Sequence, residues 1–271
     1  MKVEENLKRL NKIQSALNYW HDRLSKEYGE DHILNIALYG SQNYLLDTPN
    51  SDVDVKAIYV PSLKEAVINS KRISLELHNE ENEHCELKDI REMCKMYVKQ
   101  NINFLETLFT DYRWDNPHYS IISQEFKNYS DILVKHNIDY GIKSTCGQAL
   151  HTIRFIIQER NNKKLAKVIH LYLYLNKWLS KKYTYKECIE VSDQEKFFHY
   201  NAKELLLKLK TDNFFIDDID IIIFLQTYFS DTLNNQFFNK ELIKTSKRHN
   251  NLINGLNSIA YEAIYRYCKY E

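Results

Sequence analysis

The sequence predicts an α+β fold, with a small mixed-sheet unit over residues 1–115 followed by a helical bundle over residues 116–271. Three observations lead there. Period-two apolar alternation is confined to segments between residues 32 and 88. From about residue 118 onward apolar residues recur only at helical spacing. Glycine (5) and proline (3) are scarce, which leaves few turns and favours long helices.

The elements follow in order. Leu7, Leu10, Ile13, Leu17, Trp20, Leu24 and Tyr28 recur at steps of three and four and predict one helix, ended by Gly29. Residues 32–39 read as a strand that stops at Gly40-Ser41. A second strand, Asp52 to Val60, follows the turn-like segment 47–51 and is broken by Pro61. Residues 72–77 and 83–88 alternate as two more strands around a polar turn. Asp89 reads as a helix cap with Glu92 three residues on, and Asn103 with Glu106 repeats that spacing before a short helix. In the second half, Leu165 to Leu179, residues 216–229, and Leu252 to Ile264 each carry a helical stripe.

The net charge is zero, so the whole chain gives no reason to expect non-specific nucleic-acid binding. The halves differ: residues 1–135 hold 17 basic and 22 acidic side chains, and residues 136–271 hold 20 and 15, hence −5 and +5. No apolar run is long enough for a membrane span, and the charged start does not resemble a secretory leader. The 5 cysteines are scattered, with no C-x-x-C pair, which predicts reduced thiols in a cytoplasmic protein.

Chemistry concentrates in Tyr39-Gly40-Ser41 and Ser51-Asp52-Val53-Asp54-Val55-Lys56. On a strand Asp52 and Asp54 share one face, while Val53 and Val55 point into the core. Two neighbouring carboxylates repel each other unless a cation lies between them, and oxygen ligands select a hard ion such as magnesium. At Gly40 the absent side chain lets backbone N–H groups approach phosphate, and the Ser41 hydroxyl adds a donor. A lone D-x-D or a lone Gly-Ser is usually an ordinary strand face or turn; their order on adjacent strands carries the signal.

With these residues in place, the sequence resembles the polymerase-beta nucleotidyltransferase superfamily, whose pattern is G-S followed by D-x-D. It is more closely similar to the bacterial and phage branch associated with RNA ligases. The shared segments are YGSQNYLLDTPNSDVDVKAIYVPSLKEAV at 39–67, ELKDIR at 86–91 and KQNINFLETLF at 99–109. The resemblance is dense over residues 33–111; beyond them it rests on Gly147 and residues 167–170.

The resemblance implies a polymerase-beta-type catalytic domain with a mixed sheet, followed by helices that choose the acceptor. It implies transfer of NMP from an NTP to an acceptor hydroxyl with release of pyrophosphate. Asp52, Asp54 and Glu86 would be the catalytic carboxylates holding two magnesium ions, or manganese in their place. Gly40, Ser41, Asn43 and Ser51 would hold the nucleotide, although Asn43 reads equally well as a local turn cap. Relatives often carry Asp where this chain has Glu86. An RNA end is the acceptor that the association with RNA ligases suggests. Adenylylation of a protein or small molecule, and a nucleotide-binding module with catalysis impaired at Glu86, stand as alternatives.

Periodicity agrees in placing Glu86 on the polar face with His84 and Lys88, opposite Cys85 and Leu87. Glu83, at the frayed start of that strand, is expected to turn to solvent. His170, on an apolar helix, reads as a core histidine, and Glu106 as the capping partner of Asn103. Lys163, Lys164, Lys167, Lys177, Lys181, Lys182 and Lys186 read first as wet helix faces, with a phosphate channel as the alternative.

Overall fold

The computed structural model describes residues 3–48, 51–68, 73–81, 83–159, 161–211, 219–237 and 247–268. Helix α1 (Val3–Tyr28) lays Ile13, Leu17, Trp20 and Leu24, all buried, on one face of a sheet. The predicted stripe is shorter than expected, because Leu7 is exposed. Gly29, at φ +86°, ends the helix in a conformation that favours glycine.

The sheet is built from β1 (Ile33–Tyr39), β2 (Asp54–Tyr59), β3 (Ser74–His78), β4 (His84–Asp89) and β5 (Arg113–Asp115). Their order is β3-β4-β2-β1-β5, with β2 and β4 parallel and the other pairs antiparallel. It is a mixed sheet, as expected. Strand β2 starts two residues later than predicted, so Asp52 lies just before it, exposed, and Val53 is already buried. The predicted strand start at Arg72, the Pro49-Asn50 part of the turn and residues 216–218 lie outside the described residues. Strand β5 has only three residues, too few for alternation to register, and it pairs along the outer edge of β1.

Short helices α2 (Leu63–Val67), α3 (Ile90–Val98) and α4 (Ile102–Leu105) link these strands. Asp89 caps α3 by accepting from the Arg91 N–H at 2.8 Å. The cap of α4 is Asn101, which accepts from Asn103 N–H, so the expected Asn103–Glu106 capping box does not form. Glu106 instead follows the last residue of α4 and is fully buried.

The second half is helical: α5 (Ser120–His136), α6 (Ile138–Glu159), α7 (Asn162–Ser180), α8 (Tyr185–Ile189), α9 (Ala202–Lys210), α10 (Ile219–Phe237) and α11 (Lys247–Cys268). A two-stranded hairpin, β6 (Lys196–Phe197) with β7 (Tyr200–Asn201), interrupts it before α9. The α1–sheet core belongs to the first half alone, but a second core spans both halves. Leu34, Ile58 and Val60 from the sheet join Leu165, Ile169, Leu225 and Leu256 in one buried cluster. Helix α11 packs back on α3 and α5. Among the described residues no helix is long and apolar enough to cross a membrane.

Two glycines of α6 separate packing from propensity. A Cβ at Gly141 would lie 1.8 Å from Trp178 Cη2, whereas one at Gly147 would meet nothing within 4 Å. Gly141→Ala should therefore destabilise by about 1–3 kcal/mol through overpacking. Gly147→Ala should stabilise by up to about 1 kcal/mol through helix propensity alone. Urea midpoints check both, and equal shifts would contradict the packing of α6 on α7.

Candidate active-site cleft

The alternation of β2 and β4 sorts their side chains as expected. Val53, Val55, Ala57, Cys85 and Leu87 are buried against α1. Asp54, Lys56, His84, Glu86 and Lys88 alternate with them and lie on the opposite face. Tyr39 at the end of β1 stands opposite Asp54. The Tyr39 hydroxyl and His84 Nδ1 are hydrogen-bonded at 2.9 Å, and His84 Nδ1 is 3.8 Å from Asp54 Oδ1. Burial raises the Asp54 pKa, and the neighbouring Asp52 adds to the rise. The neighbouring His84 works against that rise.

Gly40 follows β1 with φ +82°, and a Cβ there would sit 3.3 Å from Asp54 Oδ2. Glycine is needed both for the backbone angle and for the approach to Asp54. Residues 41–46 then fold back through Asn43 N–H to Gly40 O (2.9 Å), Tyr44 N–H to Ser41 O (3.2 Å) and Leu46 N–H to Ser41 O (3.1 Å). The turn is anchored from the α1 side by Arg9, which donates to Gln42 O and lies 3.3 Å from Asp47.

The structure adds a residue that the sequence reading set aside. Glu106 accepts from Gly40 N–H (3.1 Å), Asn43 Nδ2 (3.3 Å) and the Tyr44 hydroxyl (2.7 Å). Burial pushes its carboxyl up to about 7, against the pull of those donors. The Gly40 N–H expected to meet phosphate is thus engaged by Glu106. Among the described residues nothing accepts from the Ser41 N–H, which is the next backbone donor in line. The Asn43 side chain does not cap its own turn but reaches Glu106, 63 positions away. Ser51 likewise closes its own turn, its Oγ accepting from Thr48 N–H at 2.8 Å.

Facing the sheet end across a cleft of about 330 Å³ are α7 and α9. Gly40, Ser41, Tyr44 and Asp54 line one wall; Lys163, Lys167, His170 and Lys210 line the other, with Leu171 and Leu206 between them. Burial lowers the pKa of Lys167, and it pushes Lys210 down to about 8 although Asp47 and Asp54 pull it up. Among the described residues none of the three lysines lies within 4 Å of a carboxylate oxygen. Lys210 donates to the Leu46 carbonyl at 2.7 Å. Lys163 and Lys167 line the cleft but are exposed, as wet helix faces are; Lys164 pairs with Glu159, and Lys186 with Asp111. Lys210, at the last turn of α9, carried no sequence signal beyond its charge.

His170 is a core histidine as expected. Its Nε2 is hydrogen-bonded to Ile189 O at 2.7 Å, its ring lies against Tyr44, and burial pushes its pKa down to about 4. Glu83 departs from expectation. It is buried and accepts from Asn79 Nδ2 at 2.9 Å, because the turn at residue 79 folds over the strand start.

Glu86 lies on the predicted face but two positions along the strand from the level of Asp54, opposite Lys56. Its carboxylate is paired with Lys56 Nζ and, at 2.8 Å, with Lys88 Nζ. Burial would raise its pKa, but the two lysines hold it below the ordinary carboxylate value. Among the described residues no group of three or more His, Cys, Asp or Glu is arranged to hold a metal ion. Asp54 with Asp52 fits a hard cation by donor chemistry, whereas Glu86 is already neutralised. Compared with models of known protein families and with curated proteins, the sequence matches none.

Proposed function

We propose that the cleft binds a nucleoside triphosphate and that the protein transfers NMP from it to an acceptor hydroxyl, releasing pyrophosphate. One observation carries the reading: a carboxylate and a glycine–serine turn on one wall face Lys163, Lys167 and Lys210 on the other, the last two partly desolvated and, among the described residues, none of the three within 4 Å of a carboxylate. Stripping water from an ammonium group is unfavourable unless an anion replaces it. A triphosphate supplies that anion to Lys163, Lys167 and Lys210.

The same anion would be repelled by Asp54 unless a cation lies between them. Asp54 and Asp52 would hold magnesium, or manganese, which when bound polarises the α-phosphate and lowers the pKa of the attacking hydroxyl. The chain's own residues bind and orient: the lysines neutralise the β- and γ-phosphates, and Ser41 donates to a phosphate oxygen. The apolar side chains Leu171 and Leu206 exclude water from that wall. RNA is the first acceptor class to test, given the +5 charge of the second half.

The test is incubation of the protein with each α-labelled NTP, magnesium and total RNA or protein. Label in RNA or protein, with pyrophosphate released, is the expected result. Lys167→Ala with Lys210→Ala should raise the KM for NTP by about tenfold or more, the loss of two charge-assisted contacts. The pairing of Glu86 with two lysines favours a binding-only module as the second reading. NTP binding without pyrophosphate release would select it, and absence of NTP binding would remove both.

A further inference from the structure

Glu106 does not line the cleft, yet its carboxylate is bonded to the turn that does. Three donors from that turn converge on it: Gly40 N–H at 3.1 Å, Asn43 Nδ2 at 3.3 Å and the Tyr44 hydroxyl at 2.7 Å. They reach across 62 to 66 positions of sequence. A buried carboxylate is unfavourable unless fully bonded. Nothing in the helix itself requires one, since Asn101 caps α4. All three partners donate, and the acceptor-only form of the group is the ionised carboxylate.

We infer that Glu106 is a positioning residue for the nucleotide, holding the Gly40–Tyr44 turn in the conformation that puts Ser41 on the cleft wall. This rests on the reading of the cleft as an NTP site. Glu106 acts through the turn and touches no substrate.

The groups that face Glu106 set its response to pH. Lys56 on β2 and Lys167 on α7 attract its charge, whereas Tyr39, Tyr44, Tyr174 and Tyr185 surround it with groups that stay neutral. Burial leaves its carboxyl at about 7. Below that pH the carboxyl gains a proton: on Oε2 it opposes the two N–H donors, and on Oε1 it forces the Tyr44 hydroxyl to reverse and accept, so the ionised arrangement of three charge-assisted bonds is lost. The turn loosens as the pH falls, and nucleotide affinity falls with it.

The test is calorimetric binding of each of the four NTPs with magnesium at pH 8 and pH 6, to wild type, Glu106→Gln, Tyr44→Phe and Asn43→Ala. Wild type should bind several-fold more weakly at pH 6 than the nucleotide's own protonation explains. Glu106→Gln should bind about tenfold more weakly than wild type at pH 8, as its amide sets N–H donors against the turn's donors. Its remaining pH dependence should be that of the nucleotide alone. Amide exchange at Gly40, read without nucleotide, should speed up in Glu106→Gln. Wild type that binds no NTP would sink the function proposed for the cleft, while the Gly40 exchange rate would still report whether Glu106 holds the turn. A folded Glu106→Gln with wild-type affinity and pH profile would overturn the inference. Should that variant fail to fold, unchanged affinity in both Tyr44→Phe and Asn43→Ala would overturn it as well.

Discussion

Asp54→Asn is expected to lower transfer by about a thousandfold or more, some 4 kcal/mol of transition-state stabilisation. The substitution keeps the shape of the side chain and removes the charge that would hold a cation against the triphosphate. Folding should respond in the opposite direction. Burial and the nearby Asp52 raise the Asp54 pKa, so its ionised form weakens the nucleotide-free fold. A carboxyl whose folded pKa is raised contributes stability below its unfolded value of about 3.9 and loses that contribution as the pH rises through the folded value. The variant lacks this loss. Its stability should match wild type in acid and exceed it at pH 7, as read from denaturant midpoints at both values. Asp52→Asn should show a smaller stabilisation, because Asp52 is exposed. A variant of Asp54 that transfers NMP at wild-type rate would end the proposal that this carboxylate serves the reaction.

Half-buried strands made much of this site legible. Alternation on β4 assigned Cys85 and Leu87 to the core and His84, Glu86 and Lys88 to the other face, and the register shows that sorting. The same rule placed Asp52 and Asp54 together, although Asp52 lies just outside the strand. What could not be read was which element each polar group would meet. Glu106 finds Gly40 across 66 positions, and Lys210 finds Leu46 across 164. Local spacing offered Glu106 a capping role, and a nearby Asn103 made that role plausible until Asn101 took the cap. Lys56 stands two residues after the D-x-D, but its partner depends on the parallel register of β2 and β4, which no periodicity reports. The boundary at residue 115 followed the change from alternation to helical spacing. Apolar residues on both sides of it enter one core, because a sheet face and a helix stripe bury each other wherever the chain brings them together.

The second large effect concerns stability. Lys56 is 3% exposed, its Nζ 3.9 Å from the centre of the Tyr39 ring and 4.2 Å from that of Phe104. Those rings offer an ammonium group cation–π contact but no counter-charge, and burial lowers its pKa. Glu86 is the carboxylate that neutralises it, and Lys88 at 2.8 Å completes the set. Glu86→Gln should therefore destabilise the fold by about 3 kcal/mol, the loss expected when one partner of a buried pair is removed. Replacing both partners, Lys56→Met with Glu86→Leu, should recover only part of it, since Lys88 stays buried with the Ser74 hydroxyl in place of its carboxylate. The pH dependence follows from the lowered Glu86 pKa. Its contribution is present above the unfolded carboxylate value and is lost as the pH falls through the folded one, so the pair weakens only in acid. Glu83→Gln, whose partner is the neutral Asn79 amide, should lose far less. Transfer assays separate this from catalysis. If Glu86→Gln melted as wild type does while losing turnover, Glu86 would be serving the reaction directly, and the ion pairs with Lys56 and Lys88 would be secondary.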